Sequence, residues 1–191
     1  MLMRKNKSGT VVICIYIDDT LCAGQKEALD IFKKELKTFF ATKEEGTMDE
    51  YVGCQIKRIS DDCIIMHQRE LLKKLERIFL DDIEKLKSRD IPLGTNQRIV
   101  RPESDETLIS KTDQTKYRSG IGMLLYLVKY SRPDLSNAVR ELSKVNDGAT
   151  NEHVNCLLRV IRFAVDTKNK VLVYKLKGEN IQIWELRAYS D

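Results

Sequence analysis

The feature that most constrains the fold of this chain is a short apolar run that two adjacent aspartates interrupt. Residues 11–17 are apolar and mostly β-branched, Asp18 and Asp19 follow them, and residues 21–23 are apolar again before Gly24. An apolar run without alternation predicts a β-strand that is buried on both faces. Two apolar arms around a polar centre predict a β-hairpin, and the two aspartates would lie at its tip.

The two aspartates are candidate catalytic and metal-binding residues. Carboxylates held at the tip of a hairpin suit Mg²⁺, which prefers carboxylate oxygens together with the phosphates of a substrate. Two-metal phosphoryl transfer uses a pair of ions about 3.5–4 Å apart, and a site of this kind would need a further carboxylate from elsewhere. An Asp-Asp pair is also a common turn sequence, so the pair alone leaves both interpretations open.

Hydrophobic periodicity predicts an α+β fold. Segments with apolar residues at spacings of three and four predict helices, and shorter apolar segments predict strands. The predicted helices cover residues 29–40, 71–79, 114–130, 135–145 and 151–165, with Asn151 as the N-cap of the last, and the further strands cover 51–56, 63–66, 171–174 and 181–189. Pro133 would end the third helix at Arg132. Residues 88–112 contain two prolines and few large apolar residues, which predicts an exposed connection and a domain boundary.

Two glycines, Gly120 and Gly122, fall inside the third predicted helix. A glycine in a helix costs roughly 1 kcal/mol relative to alanine. We expect close packing against another helix at these positions. A phosphate-binding loop is not indicated, because the remaining glycines of such a motif are absent.

Composition narrows the class of protein. No run of about 18 apolar residues exists, so no membrane-spanning helix is predicted. The five cysteines form no C-x-x-C pair, so we expect the reduced thiols of an intracellular protein. Neither histidine lies at ligand spacing from a cysteine, so we expect no zinc site. Residues 116–175 hold eleven Lys/Arg and five Asp/Glu, a net charge of +6. Since the whole chain carries +4, the remaining residues sum to −2. The positive charge of this segment has two interpretations. It either contacts a polyanion such as nucleic acid, or it lies on helix faces that are exposed to solvent.

Several segments carry motifs in a recognisable order. They are Tyr16-Ile17-Asp18-Asp19 with Gly24, Phe32 to Phe40, Tyr51-Val52-Gly53-Cys54-Gln55-Ile56, Ile64 to Gln68 with Leu71-Leu72, Tyr117-Arg118 with Ile121 to Leu127, Ser131-Arg132-Pro133-Asp134-Leu135, His153 with Arg159 and Arg162, and Ala188-Tyr189-Ser190-Asp191. They resemble, in order, the Y-V-D-D hairpin and later motifs of the reverse transcriptase of copia-type LTR retrotransposons. The resemblance covers nearly the whole chain.

The resemblance implies how the chain is divided. Residues 1–68 would be part of a polymerase palm, residues 69–170 thumb and connection helices, and residues 171–191 the first strands of an RNase H domain. In an intact parent, Asp18 and Asp19 would bind Mg²⁺ or Mn²⁺ and assist RNA-directed DNA synthesis. Asp191 would be the first metal-binding residue of an incomplete RNase H site.

The resemblance also implies which residues contact nucleic acid. Strands 51–56 and 63–66, joined across residues 60–62, are predicted to form a second hairpin. Three of its residues would position the primer, namely Tyr51, Gly53 and Gln55. Three arginines would bind nucleic acid, namely Arg132, Arg159 and Arg162. From its sequence context, Arg132 either binds a phosphate or caps a helix end. The implied partners are an RNA/DNA template–primer duplex and deoxynucleotides.

The chain departs from the family pattern in one main respect. The family carries its first catalytic aspartate on a strand upstream of Y-x-D-D, and no such strand precedes this hairpin. We therefore expect a fragment that does not polymerise alone and whose partner would be the N-terminal palm and fingers. The alternatives are a nucleic-acid-binding module without catalysis and a relic of a transposon. The expected location is a cytoplasmic virus-like particle or the nucleus.

Overall fold

The computed structural model describes residues 1–175 apart from Asp18, Glu45, Thr47, Asp61, Thr95, Asn96, Arg98 and 104–107. Along these residues the elements are β1 Leu2–Asn6, β2 Gly9–Tyr16, β3 Asp19–Gly24, α1 Lys26–Phe39, β4 Glu50–Tyr51, β5 Cys54–Ser60, β6 Cys63–His67, α2 Arg69–Ile83, α3 Lys111–Tyr130, α4 Ser136–Ser143, α5 Asn151–Asp166 and β7 Leu172–Lys175. This mixture of helices and antiparallel sheets confirms the predicted α+β class. The predicted strand at residues 181–189 lies outside the described residues.

The first sheet has the antiparallel order β1-β2-β3 and is covered on one face by α1. Val11 and Ile13 of β2 pack against Ala28 of α1. The prediction that the strand is buried on both faces is wrong, because Ile15 is 58% exposed and Ile17 is 80% exposed. The apolar run extends beyond the part of the sheet that α1 covers, and the end of the β2–β3 hairpin therefore projects into solvent.

The second sheet has the order β4-β5-β6-β7, with every neighbouring pair antiparallel. The prediction of a single strand over residues 51–56 is wrong. Tyr51 pairs directly with Cys54, and the chain reverses at Val52 and Gly53, which have φ angles of 49° and 65°. Two consecutive positive φ angles are characteristic of a type I′ hairpin turn. Strand β7 pairs with β6 and extends this same sheet.

Helices α2, α3, α4 and α5 enclose the main hydrophobic core, which includes Leu75, Phe79, Leu124, Leu127, Leu142 and Ile161. The hydroxyl of Tyr117 donates to the Leu142 carbonyl at 2.8 Å and joins α3 to the end of α4. Helix α3 ends at Tyr130, and a 3₁₀ turn, Pro133–Leu135, follows. The predicted proline stop is therefore confirmed.

The start of α5 differs by one residue from the prediction. Its N-cap is Thr150 and not Asn151. The backbone N–H of Thr150 donates to Nδ1 of His153 at 3.1 Å, as part of a capping box. Histidine is not one of the residues that usually fill this position, which is why the sequence pattern did not identify the cap.

The two glycines of α3 have different environments. A Cβ at Gly120 would lie 3.0 Å from the Phe79 ring and 3.1 Å from Leu157, so close packing accounts for this glycine. A Cβ at Gly122 would meet nothing within 4 Å. The packing explanation is therefore confirmed for Gly120 and wrong for Gly122.

The described residues between 88 and the start of α3 at Lys111 are not exposed throughout. Ile99 is buried in the main core, and Leu108 forms an isolated antiparallel bridge with Thr150. In the part of the chain that the structure describes, no helix is both long and apolar enough to cross a membrane.

Candidate functional site

The tip of the β2–β3 hairpin carries the candidate catalytic residues. Tyr16 pairs with Asp19, so the chain reverses between these two residues. Ile17 has a φ of 53°, Asp19 is exposed, and Asp18 lies outside the described residues. The predicted hairpin is thus confirmed for its two strands. The role of its aspartates stays a prediction.

The base of this hairpin is packed too tightly for any residue except glycine. A Cβ at Gly24 would lie 2.2 Å from the backbone oxygen of Thr10, a distance that no real Cβ contact reaches. The Thr10 N–H also donates to Oε1 of Gln25 at 2.6 Å. These contacts fix the hairpin to the start of α1, at the end opposite the aspartates.

The carboxylate of Asp19 is a suitable ligand for a hard cation, but it does not form a metal site by itself. Asp19 offers an exposed carboxylate, which is the ligand type that Mg²⁺ prefers. Among the described residues, no group of three or more His, Cys, Asp or Glu side chains could hold a metal ion together. A metal at this tip would therefore need Asp18 and at least one further ligand.

Tyrosines of β4 and α3 lie within electrostatic range of the β2–β3 hairpin. Burial raises the pKa of Tyr51, and nearby Cys14, Asp19 and Tyr130 raise it further. The rings of Tyr126 and Tyr130 meet edge to face, with their centroids 5.0 Å apart. The structure therefore brings Tyr51, one of the predicted primer-positioning residues, within electrostatic range of Asp19.

Helix α3 holds the β4–β5 turn in place. The hydroxyl of Tyr126 donates to the Val52 carbonyl at 2.6 Å, and a Cβ at Gly53 would lie 3.3 Å from the same hydroxyl oxygen. The positive φ of Val52 is unfavourable for a β-branched residue. The hydrogen bond from Tyr126 stabilises this turn from a helix that is distant in sequence. The periodicity of α3 gave no signal for this role.

Gln55, the third predicted primer-positioning residue, lies further from the turn. It pairs across the sheet with Glu50 on one side and with His67 on the other. Its Oε1 and the Nδ1 of His67 are both buried, and neither has a hydrogen-bond partner among the described residues. Gln68 adds a third such atom, its Nε2, while its Oε1 accepts from the Ser131 hydroxyl at 2.8 Å. Sequence reasoning did not identify these buried polar atoms.

Arg132 is a helix cap, which corrects its assignment to nucleic-acid binding. Its side chain is only 2% exposed and forms a bidentate pair with Asp134, with both N–O distances 2.9 Å. The same guanidinium donates to the Ala164 carbonyl at 3.2 Å and to the Thr167 hydroxyl at 2.7 Å, at the end of α5. Since every nitrogen already has a partner, Arg132 has no free donor for a phosphate.

The other two arginines lie on α5 and differ from each other. Nε of Arg162 pairs with Asp166 at 3.0 Å, and the Arg162 side chain is 28% exposed. Within the part of the chain that the structure describes, Arg159 forms no ion pair and its buried Nε has no hydrogen-bond partner. Arg159 is therefore the better placed of the two for an external anion.

Most basic side chains of the 116–175 segment lie beside acids. Eight of its eleven Lys/Arg are within 4.0 Å of a carboxylate, namely Lys116, Arg118, Arg132, Arg140, Lys144, Arg162, Lys168 and Lys170. Lys129, Arg159 and Lys175 form no ion pair among the described residues. The charge of the segment is thus largely compensated locally. Asp191, the predicted RNase H residue, lies outside the described residues.

Comparison with curated proteins finds relatives among the Pol polyproteins of retrotransposons. The chain is 31% identical over 189 residues to the retrovirus-related Pol polyprotein from transposon RE2 of Arabidopsis thaliana and 28% identical over 191 residues to that from transposon RE1. These alignments cover 95% and 100% of the chain. A transposon Ty5-1 protein of Saccharomyces cerevisiae is 27% identical over 176 residues, or 92% of the chain.

The chain spans 12% of the length of each Arabidopsis relative and 55% of the yeast protein. No protein-family model matches it. No solved structure matches it either. The relatives confirm the predicted resemblance at the level of a retrotransposon Pol polyprotein, and support a segment of such a polyprotein.

Proposed function

We propose that the chain is the part of a retrotransposon reverse transcriptase that carries the catalytic aspartate hairpin, the primer-positioning hairpin and the adjoining thumb and connection helices. The observation that carries the proposal is the β2–β3 hairpin, whose exposed end holds Asp19 within electrostatic range of Tyr51 of β4. An exposed carboxylate at the end of a hairpin, together with the β4–β5 turn that Tyr126 holds, supports a site where a substrate end is aligned.

The proposed reaction is template-directed addition of a deoxynucleotide. The primer 3′-hydroxyl oxygen attacks the α-phosphorus of the incoming deoxynucleotide, a new P–O bond forms, and pyrophosphate leaves with the electrons of the broken bond. Asp18 and Asp19 would hold Mg²⁺ or Mn²⁺, together with at least one carboxylate that the described residues do not supply. Bound Mg²⁺ would stabilise the charge that develops on the attacking and leaving oxygens.

The remaining residues would align the nucleic acid. Tyr51 and Gly53 would contact the primer end through the β4–β5 turn, and Gln55 would support that turn from inside the sheet. Arg159 would contact the duplex backbone without reading its sequence, and Arg162 would do so only on release from Asp166. Asp191 would begin a second, RNase H site. The proposed location is a cytoplasmic virus-like particle or the nucleus.

Primer extension tests the polymerase assignment. The assay would use a Pol product that includes this segment, an RNA template with a DNA primer, deoxynucleotides and Mg²⁺. We expect Asp18→Ala and Asp19→Ala to reduce incorporation to background, because each removes a proposed metal ligand. Asp30→Ala, which removes an exposed carboxylate of α1, is the matched control and should retain activity. Full incorporation by either tip variant would overturn the assignment.

A second candidate is a nucleic-acid-binding module without catalysis. The net positive charge of residues 116–175 and the unpaired Arg159 favour it. This function predicts salt-dependent duplex binding that Asp18→Ala leaves unchanged and that Arg159→Glu weakens. If duplex binding by the chain cannot be detected at low salt, this candidate is excluded.

A further inference from the structure

A cavity of about 230 Å³ lies beside the N-terminal half of α5. One wall comes from the segment after α2 and from Gln97, and the other comes from α5. The lining residues are Leu86, Lys87, Arg89, Gln97, Glu152, Asn155, Cys156 and Arg159. The cavity opens to solvent, so a small ligand could enter it without a rearrangement of the core.

The lining is rich in positive charge that the described residues do not neutralise. Lys87, Arg89 and Arg159 face a single acid, Glu152. None of these three cations forms an ion pair with a described residue, in contrast to most basic residues further along the chain. Burial raises the pKa of the Cys156 thiol, so this group stays neutral and does not oppose an anion.

Arg159 supplies the observation that points to a ligand. Its Nε is buried and has no hydrogen-bond partner among the described residues, although a buried donor without a partner is unfavourable. Its Nη1 would lie 3.7 Å from a Cβ placed on Gly94, so the guanidinium reaches the segment that also carries Gln97. An anionic oxygen in the cavity would become the partner of this donor after a small shift of the Arg159 side chain.

We propose that this cavity binds a phosphate group. A guanidinium offers parallel N–H donors that match two phosphate oxygens. Lys87 and Arg89 would add charge, and the side-chain amide of Asn155 would supply a neutral donor. Gln97 is held by its contact to Sγ of Cys156, at 2.8 Å, and shapes the wall. Glu152 weakens the field but leaves a surplus of positive charge.

The phosphate could come from a nucleic-acid backbone or from a free phosphate compound. A backbone phosphate as the ligand rests on the proposed function, because the cavity would then contact the template–primer duplex. The second source does not depend on that function. Both sources use the same side chains, so the test must separate them.

The first arm of the test measures binding of inorganic phosphate to the full chain by ³¹P NMR titration. We expect saturable binding to the wild type, and Arg159→Gln and Lys87→Gln should each weaken it by at least about tenfold, since each removes a charged hydrogen bond. The matched control is Arg77→Gln, which removes an exposed cation of α2 outside the cavity. Arg159→Gln removes an unpartnered donor, and its fold is checked by circular dichroism.

The second arm adds a short DNA duplex to the phosphate complex. Displacement of phosphate by the duplex, with duplex affinity reduced in Arg159→Gln, identifies a backbone phosphate as the ligand. Phosphate binding that persists when the duplex does not bind supports a free phosphate and counts against the nucleic-acid part of the proposed function. The phosphate site itself is refuted if Arg159→Gln and Lys87→Gln bind phosphate and the duplex as tightly as the wild type does. It is also refuted if the wild type binds neither ligand.

Discussion

Replacement of Arg132 with methionine tests whether this residue supports the fold or binds nucleic acid. The side chain is buried between the turn after α3 and the end of α5, and its guanidinium joins Asp134 to Ala164 and Thr167. Methionine fills a similar volume without any donor. The variant therefore leaves the Asp134 carboxylate and the last carbonyls of α5 without their partner.

The expected loss follows from the burial of the pair. Removal of one partner of a buried ion pair destabilises a protein by about 3–5 kcal/mol. The side chain of Asp134 is 37% exposed, so water replaces part of the lost interaction. We therefore expect the free energy of unfolding to fall by about 3 kcal/mol, at the lower end of that range. Arg162→Met removes an ion pair that water reaches more easily, and should lower it by about 1 kcal/mol or less.

The pH dependence gives a second measure of the same contact. Burial alone would raise the pKa of Asp134, but the hydrogen bonds and charge of Arg132, with Lys170, hold it below its usual value. A carboxyl with a depressed pKa in the folded state stabilises the protein above its unfolded pKa of about 3.9. This stabilisation is lost as the pH falls through the folded pKa. The difference between wild type and Arg132→Met should therefore shrink in acid.

Urea-induced unfolding, followed by circular dichroism at neutral and acidic pH, measures both quantities. Arg132→Lys is an informative intermediate, because an ammonium keeps the charge but cannot bridge the carboxylate and the helix end together. A loss below about 1 kcal/mol for Arg132→Met, or a difference from wild type that does not change with pH, would refute the structural role. Weakened duplex binding with unchanged stability would restore the nucleic-acid assignment.

Three further predictions concern α3 and the start of α5. Tyr126→Phe removes the hydroxyl that donates to the Val52 carbonyl and should lower the free energy of unfolding by about 1 kcal/mol; an unchanged urea midpoint would contradict this. Gly122→Ala should raise stability by about 0.5–1 kcal/mol, whereas Gly120→Ala should lower it, because its Cβ would lie 3.0 Å from a core phenylalanine ring; equal effects would contradict the packing argument. Burial lowers the pKa of His153, so its stabilisation is present above the unfolded pKa of about 6.5 and is lost as the pH falls through the folded value. His153→Gln should partly flatten the stability profile over this range, and an identical profile would exclude the effect.

The helices were predictable from sequence because their signal is local. Apolar residues three and four positions apart define one face of a helix, and the predicted helical segments all correspond to observed helices. The β2–β3 hairpin was predictable for the same reason, since two apolar arms and a polar centre lie within one short segment. The burial of the hairpin was not predictable, because it depends on how α1 packs. Helix α1 covers one face of the sheet and leaves the hairpin end exposed.

The details of the site depend on contacts between distant residues. The β4–β5 turn places Val52 at a positive φ, which a β-branched residue rarely adopts. The hydroxyl that stabilises it comes from Tyr126, 74 residues away. In the same way, the choice between a phosphate ligand and a helix cap for Arg132 is decided by the end of α5. Neither contact has a signature in the local sequence.

Lys129 lacks the acidic partner that most basic residues of the 116–175 segment have among the described residues. Hydrogen bonding to Tyr130 raises the pKa of Lys129, so its ammonium stays charged, and it lies 5.0 Å from the centroid of the Tyr130 ring. Tyr16 of the aspartate hairpin also acts on it electrostatically. Lys129 is therefore a cation that has no carboxylate partner among the described residues and lies within electrostatic range of the hairpin that carries the aspartates.

A duplex aligned at this tip should contact Lys129 and should not depend on Lys144, whose ammonium is 2.7 Å from Glu141. We expect Lys129→Gln to weaken binding of a template–primer duplex. The slope of log affinity against log salt concentration should become less steep by about one, because one phosphate contact is lost. Lys144→Gln removes the same charge and should change neither quantity. The measurement is fluorescence anisotropy at several salt concentrations. Equal losses in the two variants would mean that net charge alone, and not the geometry of the tip, governs binding.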